Sequence, residues 1–411
     1  MLGEVFVWIV CLGTVLAILV RPGRIPEYVW ALGGASLLIV FGSVPVNAAA
    51  SAIGRGFQVY LFLVGLLALA ELARLEGVFT WLSGRALWAA GHSKARLFTL
   101  IYGIGVVVTA LLSNDATAVV LTPAVFAVLA RTDVRPLPYL YGCAFVSNAA
   151  SFLLPIGNPA NLLVFAKTLP PLIDWLGAFL IPSLLAIVAT YAVLWLVFRT
   201  DFSGRLSVKP PAHEPQAGRG PAFATVSISC ALLVVVAALG RPIGTFTFLF
   251  AAISVAVVTF ADRGVGIRVV RNMSWGIVPL VAGLFVIVQA LNSTGALALA
   301  TRFVAHAATL PEHGGNVMVG LAVTIADAIF NNLPVGVIAA FSLQHAPAHI
   351  VHAALIGVDL GPNLSVTGSL ATLLWMASLR RNGVSVSPWH FLGVGAVVVT
   401  PALLLALMTV R

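Results

Sequence analysis

Three acids stand inside strongly apolar stretches: Asp115 in LLSNDATAVVLTP, Asp327 in ADAIFNNLPVGVIAAF and Asp359 in GVDLGPNLSVTGSLATLLW. A carboxylate at membrane depth is costly unless it is solvated, paired or protonated, so each is a candidate for carrying a proton. Burial favours the neutral form of a carboxyl group, which suits that task. For Asp327 the competing reading is a cap on the helix that follows. Uncharged hydrogen-bonding side chains surround these acids. Ser113 and Asn114 precede Asp115, and Asn331 and Asn332 form a second polar tip. Asn148, Asn158 and Asn161 lie in one Pro/Gly-interrupted stretch, and Asn363, Thr367 and Ser369 in another. Amides and hydroxyls can enclose a neutral hydroxylated solute without fixed charge. Anion carriers instead favour helix N-termini and neutral hydroxyls at such tips. Asp115 would repel a dicarboxylate or sulfate, and no Lys or Arg in the apolar segments is obvious as its partner. A neutral, hydroxyl-rich solute or a cation fits better.

The elements that must position these groups are membrane helices. Of 411 residues, 60% are hydrophobic and 9% charged, where a soluble domain carries about a quarter charged. The chain reads as an all-α polytopic membrane protein of about ten transmembrane spans. They fall at roughly 5–20, 28–46, 57–74, 137–166, 175–198, 223–240, 244–261, 274–291, 349–378 and 390–410. The first 20 residues lack a basic start and a clear cleavage site, and read as a span rather than a signal peptide. Two re-entrant hairpins are expected at 97–130 and 317–345, because the apolar arms on either side of the second tip, 317–326 and 334–345, are too short to cross. Segments 77–91 and 295–309 read as interfacial helices. Pro155, Gly157 and Pro159 break the span at 137–166, and Gly361, Pro362 and Gly368 break that at 349–378. Irregular backbone at such depth survives only where protein or a cavity surrounds it.

The net charge of +9 sits in loops, so it orients the chain in a membrane rather than binding nucleic acid. With the N-terminus outside, seventeen of the 22 Lys and Arg fall in inner loops. Arg55, Lys167, Arg241, Arg302 and Arg411 alone fall outside. That arrangement places both termini outside the cytoplasmic (inner) membrane. The polar stretch 199–222 becomes a flexible cytoplasmic linker between a first repeat, 1–198, and a second, 223–411. Five spans plus one hairpin per half is an odd count, so the halves form an inverted-topology repeat whose polar tips meet near the midplane. Cys11, Cys143 and Cys230 lie in separate segments without metal-ligand spacing. No metal or cofactor is expected, and the absence of HExxH, GxSxG and GxxxxGK[ST] argues against an enzyme or an ATPase in this chain.

SNDATAVVLTP, PIGNPANLL, FNNLP and above all GVDLGPNLSVTGSLATLLW resemble the ion transporter superfamily, and within it the membrane subunit of arsenite efflux pumps, the ArsB type. The resemblance covers nearly the whole chain. It implies a dimeric, elevator-type carrier whose moving part contains both hairpins and both broken spans. It also implies export of As(III) and Sb(III), driven by proton antiport or by a cytoplasmic arsenite-stimulated ATPase. The dicarboxylate branch carries Ser-Asn-Thr at both tips, whereas Asp115 and Phe330-Asn331-Asn332 stand there in this chain. Ser113, Asn114, Asn148, Asn158, Asn161, Asn331, Asn332, Asn363, Thr367 and Ser369 are then expected to line the substrate site, with Asp115, Asp359 or Asp327 carrying the proton. Cys143 is read as packing rather than an arsenic contact, since one thiol cannot build a three-sulfur site. A sodium–proton antiporter, a silicic acid exporter and the membrane subunit of an ATP-driven pump are the alternatives.

Overall fold

A computed structural model describes residues 2–165, 169–208 and 221–410. The first half contains α1 (Leu2–Val20), α2 (Glu27–Val40), α3 (Val46–Arg55), α4 (Phe57–Leu75), α5 (Val78–Ala90), α6 (Lys94–Leu111), α7 (Thr122–Leu129), α8 (Leu137–Ala149), α9 (Pro159–Val164) and α10 (Leu172–Val197). The second contains α11 (Pro221–Ala238), α12 (Ile243–Ala261), α13 (Val265–Asn272), α14 (Ile277–Ser293), α15 (Ala296–Ala307), α16 (Glu312–Phe330), α17 (Asn332–Ser342), α18 (Ala348–Leu360), α19 (Leu370–Arg381) and α20 (Pro388–Leu407). Proline stands immediately before α2, α3, α10, α12, α16 and α18, where its fixed φ and missing N–H cost a helix start nothing. Eight helical stretches among the described residues are long and apolar enough to cross a membrane.

The order of elements repeats, α1–α10 matching α11–α20 one for one. The packing repeats too: α2 lies on α14 and α4 on α12, so each half holds the other's helices. Both crossings are glycine-mediated. A Cβ on Gly283 would stand 2.8 Å from the Ala31 carbonyl carbon, and one on Gly65 2.6 Å from that of Thr247. In lipid, where apolar burial does not drive helices together, such small residues let backbones approach closely.

The expected elements are found, with corrections at their edges. The span read at 28–46 is the shorter α2, followed by α3. α3 and its counterpart α13 are short amphipathic helices that the hydropathy reading merged or left in loops. α13 buries Val265 and Val269, one turn apart, and exposes Ile267 and Val270. α5 and α15 occupy the segments read as interfacial, and each packs on both arms of its half's hairpin. The arm-length argument is overturned for the first arms only, since the second arm at 334–345 is the 11-residue α17. α6 and α16, the first arms, have 18 and 19 residues; at 1.5 Å per residue that is about 27–29 Å, close to a full crossing.

The linker is also not flexible from its start. Residues 199–208 fold back as a strap across the ends of α6 and α7. Isolated β-bridges join Ser93 to Arg205 and Thr132 to Val208. Phe202 is buried against Phe98, stacked at 4.5 Å between ring centres. Ion pairs Lys94–Asp133 (3.2 Å) and Arg135–Asp201 (3.0 Å) close its margins. Asp133 accepts from the Ser207 N–H, which with Lys94 holds its carboxyl below the usual carboxylate range. Residues 209–220 lie outside the described part.

Candidate transport site

The first tip begins where α6 stops at Leu111. Ser113 takes φ 154°, off the helical path, and the chain doubles back. Thr109 and Thr117 hydroxyls meet at 2.8 Å, although eight residues apart, a separation of about 12 Å in a continuous helix. The turn satisfies its own donors. Ser113 Oγ accepts from the Ala116 N–H at 3.2 Å and Asn114 Oδ1 from the Asp115 N–H at 2.9 Å. A π-helical stretch, Ala116–Leu121, carries the chain into α7; such widened turns recur at functional sites.

At the second tip Asn331 occupies the corresponding position, with φ 77° and ψ 148°. Its Oδ1 caps α17 by accepting from Leu333 N–H at 3.3 Å, and its Nδ2 donates to the Thr367 carbonyl at 3.3 Å. Asn332 N–H donates to the Gly368 carbonyl at 2.9 Å. Ser365 and Thr367 hydroxyls donate back to the Ala328 carbonyl at 2.5 and 3.0 Å. Ser369 caps α19, accepting from Thr372 N–H at 3.0 Å.

Between the tips, the two broken spans interlock. α8 ends at Ala149, a 3-10 turn covers Pro155–Gly157, and Asn158 caps α9. α18 ends at Leu360 and a 3-10 turn covers Gly361–Asn363. Asn148 Nδ2 donates to Asn363 Oδ1 at 2.8 Å, and Asn363 Nδ2 donates to the Phe145 carbonyl at 2.8 Å. Asp359 Oδ1 accepts from the Ser151 hydroxyl and, at 2.6 Å, from Asn158 Nδ2. Asn161 Nδ2 reaches the Ser151 carbonyl at 3.0 Å. Asp359, Asp327, Asn158, Asn161 and Asn363 are fully buried. Among the described residues, both oxygens of Asp327, Oδ2 of Asp359, and Oδ1 of Asn148 and Asn161 have no donor. Asp327 does not cap α17, because Asn331 does; its carboxyl lies against Gly361, where a Cβ would meet Oδ2 at 2.7 Å.

A cavity of about 460 Å³ reaches the first tip, lined by Ser113, Asp115 and Ala116, by Pro159 of α9 and by Leu370 and Leu374 of α19. Its rim carries Arg21, Glu27, Glu71 and Arg74. Arg74 grips Glu71 with two hydrogen bonds, at 2.6 and 2.5 Å. A much smaller pocket of about 20 Å³ shares Arg21 and Glu27 and touches Asn331. Of the residues singled out in the sequence, Ser113 and Asp115 face the large cavity. Asn148, Asn158, Asn161, Asn363, Asp359 and Asp327 form the buried core behind it. Asn331, Asn332, Thr367 and Ser369 form the knot of the second tip, and Asn114 is buried in the first. Cys143 is buried in α8 and lines neither cavity. The sequence reading missed Ser151, whose hydroxyl grips Asp359, and the Arg21–Glu27 pair, which it counted as loop charge. RPGRIPE, with Arg21 and Glu27 flanking two prolines at a span end, was the available signal.

Two interlocked broken helices, two polar tips and a cavity reaching one of them are the anatomy of a multi-pass membrane transporter, not of an enzyme. The comparisons with known proteins agree. Residues 14–367 match the family model CitMHS, described as a citrate transporter. The chain belongs to that family. It is 28% identical over 347 residues to an arsenical pump membrane protein of Escherichia coli, covering 81% of each. It is 27% identical over 419 residues to that of E. coli strain K12, covering 97% of this chain and 92% of the other. Its fold resembles the YdaH transporter of Alcanivorax borkumensis, with TM-score 0.57, 13% identity, and 99% and 97% of the two chains covered.

Proposed function

We propose that the protein exports arsenite and antimonite, taken as neutral trihydroxides, across the cytoplasmic membrane in exchange for protons. The observation that carries this reading is Asp115, a lone tip carboxyl facing a large cavity in which both arginines already have acidic partners. Among the described residues that line it, each arginine stands beside an acid. A neutral solute can be bound by the hydroxyl and amide groups of Ser113 and the neighbouring tips, while Asp115 exchanges its proton. The relatives named arsenical pump membrane proteins support the same substrate. Asp359 and Asp327 form a second proton-holding pair, since a bare carboxylate with unfilled acceptors is untenable at that depth.

The repeated element order and crosswise packing support an inverted repeat in which tips, broken spans and hairpins move together as an elevator. By the distribution of Lys and Arg, the charged rim of the cavity lies inside, so this conformation offers the first tip to the cytoplasm. A homodimer and a soluble ATPase partner remain part of this proposal. The test is arsenite uptake into inside-out vesicles under an imposed proton gradient without ATP, in which uptake must collapse when the gradient is dissipated. The second reading, a carrier of citrate-like anions, rests on the family description. Exchange of labelled citrate with no arsenite uptake would establish it and remove the first.

A further inference from the structure

Arg21 sits where α1 turns into α2, in the left-handed region at φ 51°, and pairs with Glu27 in the first turn of α2. The side chains retain 29% and 16% of their exposure, and both line the large cavity at the first tip and the small pocket at the second. The charged groups facing Asp115 across the large cavity are these two and the Glu71–Arg74 pair of α4. α9, α19 and the segment before α14 contribute none. The two arginines differ in how fully they are engaged. Arg74 spends Nε and Nη2 on Glu71. Arg21 lies beside Glu27 as an ion pair, but among the described residues neither its Nε nor its Nη2 makes a hydrogen bond, and Glu27 Oε1 has no donor. A buried donor without an acceptor is unfavourable, so Arg21 gains from any acceptor that becomes available. With every acid ionised, the described residues lining the cavity carry three negative and two positive groups, and the surplus charge is that of Asp115.

We propose that Arg21 is the positioning residue for proton exchange: it moves between Glu27 and Asp115, joining Asp115 when that carboxyl gives up its proton. The inference rests on the reading of Asp115 as the coupling group. The Arg21–Glu27 pair then competes with Asp115 for one cation, and the strength of that pair sets the pH at which the carrier reloads.

The competition gives two variants opposite effects. Arg21→Gln removes the counter-ion and makes ionised Asp115 harder to form. Glu27→Gln frees Arg21 and makes it easier. A merely structural ion pair is broken equally by both. The measurement is carbodiimide labelling of Asp115 in the purified full-length protein in lipid vesicles, followed by mass spectrometry across pH, with Asp115→Asn as the blank. The half-labelling pH is expected to rise by about one unit in Arg21→Gln and to fall in Glu27→Gln, with Arg21→Lys close to the parent. Shifts in the same direction, or none, overturn the proposal. If Arg21→Gln does not reach the membrane, the acid shift of Glu27→Gln and the unchanged Arg21→Lys decide it alone. Labelling needs no substrate, so failure of vesicles to take up arsenite would refute the transport reading and leave this result standing.

Discussion

The two polar tips occupy matching places in the repeat and are built in opposite ways. Both bend at a non-glycine residue with positive φ, Ser113 and Asn331. The first tip satisfies its donors internally, through Ser113 and Asn114, and turns its acid to the cavity. The second spends its amide on the broken span, through Thr367, and carries no acid of its own. One repeat thus supplies a self-contained tip whose acid faces the cavity, and the other a tip fastened to its neighbour. A shared bend does not imply a shared role; where the side-chain hydrogen bonds go decides it.

That contrast can be broken most severely at Asp115. Asp115→Asn is expected to abolish proton-coupled uptake while leaving the protein folded, and adding Asn331→Asp is expected not to restore it, because the second tip faces Thr367 rather than the cavity. Recovery of coupling in the double variant would show the tips to be interchangeable. Next in size is a loss of stability rather than of coupling alone. Asp359→Leu strands the buried amide donor of Asn158, at about 1–3 kcal/mol, while the Ser151 hydroxyl keeps the Asn148 carbonyl at 2.8 Å, and thermal unfolding in detergent should show a drop that Asp115→Asn does not. A smaller effect separates the bends. Asn331→Ala loses a cap worth about 1 kcal/mol and keeps an unfavourable φ worth about 1–3 kcal/mol, whereas Asn331→Gly should regain the backbone part in the same melting assay. Equal melting of the two would show that the bend carries no strain. The smallest concerns the strap beside the first hairpin. Asp133 is held below its ordinary range, so its contribution is present above an unfolded value of about 3.9 and lost as pH falls through the folded one. Tryptophan fluorescence reporting on Trp195, whose ring lies 5.1 Å from that of Phe202, should change below about pH 4, and in Asp133→Asn that transition should be absent.

Much of this was legible in the sequence, for a physical reason. Membrane spans announce themselves by length and hydropathy, and breaks by Pro and Gly, so the spans and both interruptions at Pro155–Pro159 and Gly361–Gly368 were found within a few residues. The amphipathic α3 and α13 escaped because helices of ten and eight residues with one polar face have the average hydropathy of a loop. The hairpin arms were drawn too short because Glu312 and Lys94 lie at helix starts, where charge is tolerated. The residues of the core were legible as polar groups in apolar context, but not their partners: Ser151 meets Asp359 across 208 positions, and no local pattern encodes that. Arg21 was visible only as loop charge, since burial depends on what folds over it.

The crosswise pairing of α2 with α14 bears on the order of synthesis. α2 ends at Val40 and α14 starts at Ile277; at ribosomal rates of about 5–20 residues per second the first waits roughly 10 to 50 seconds for the second. During that interval the glycine-ready face of Ala31 borders lipid or another protein. The first half must therefore be stable enough in the bilayer to wait, yet loose enough to admit its partner. Expressing the two halves as separate chains should show whether it can.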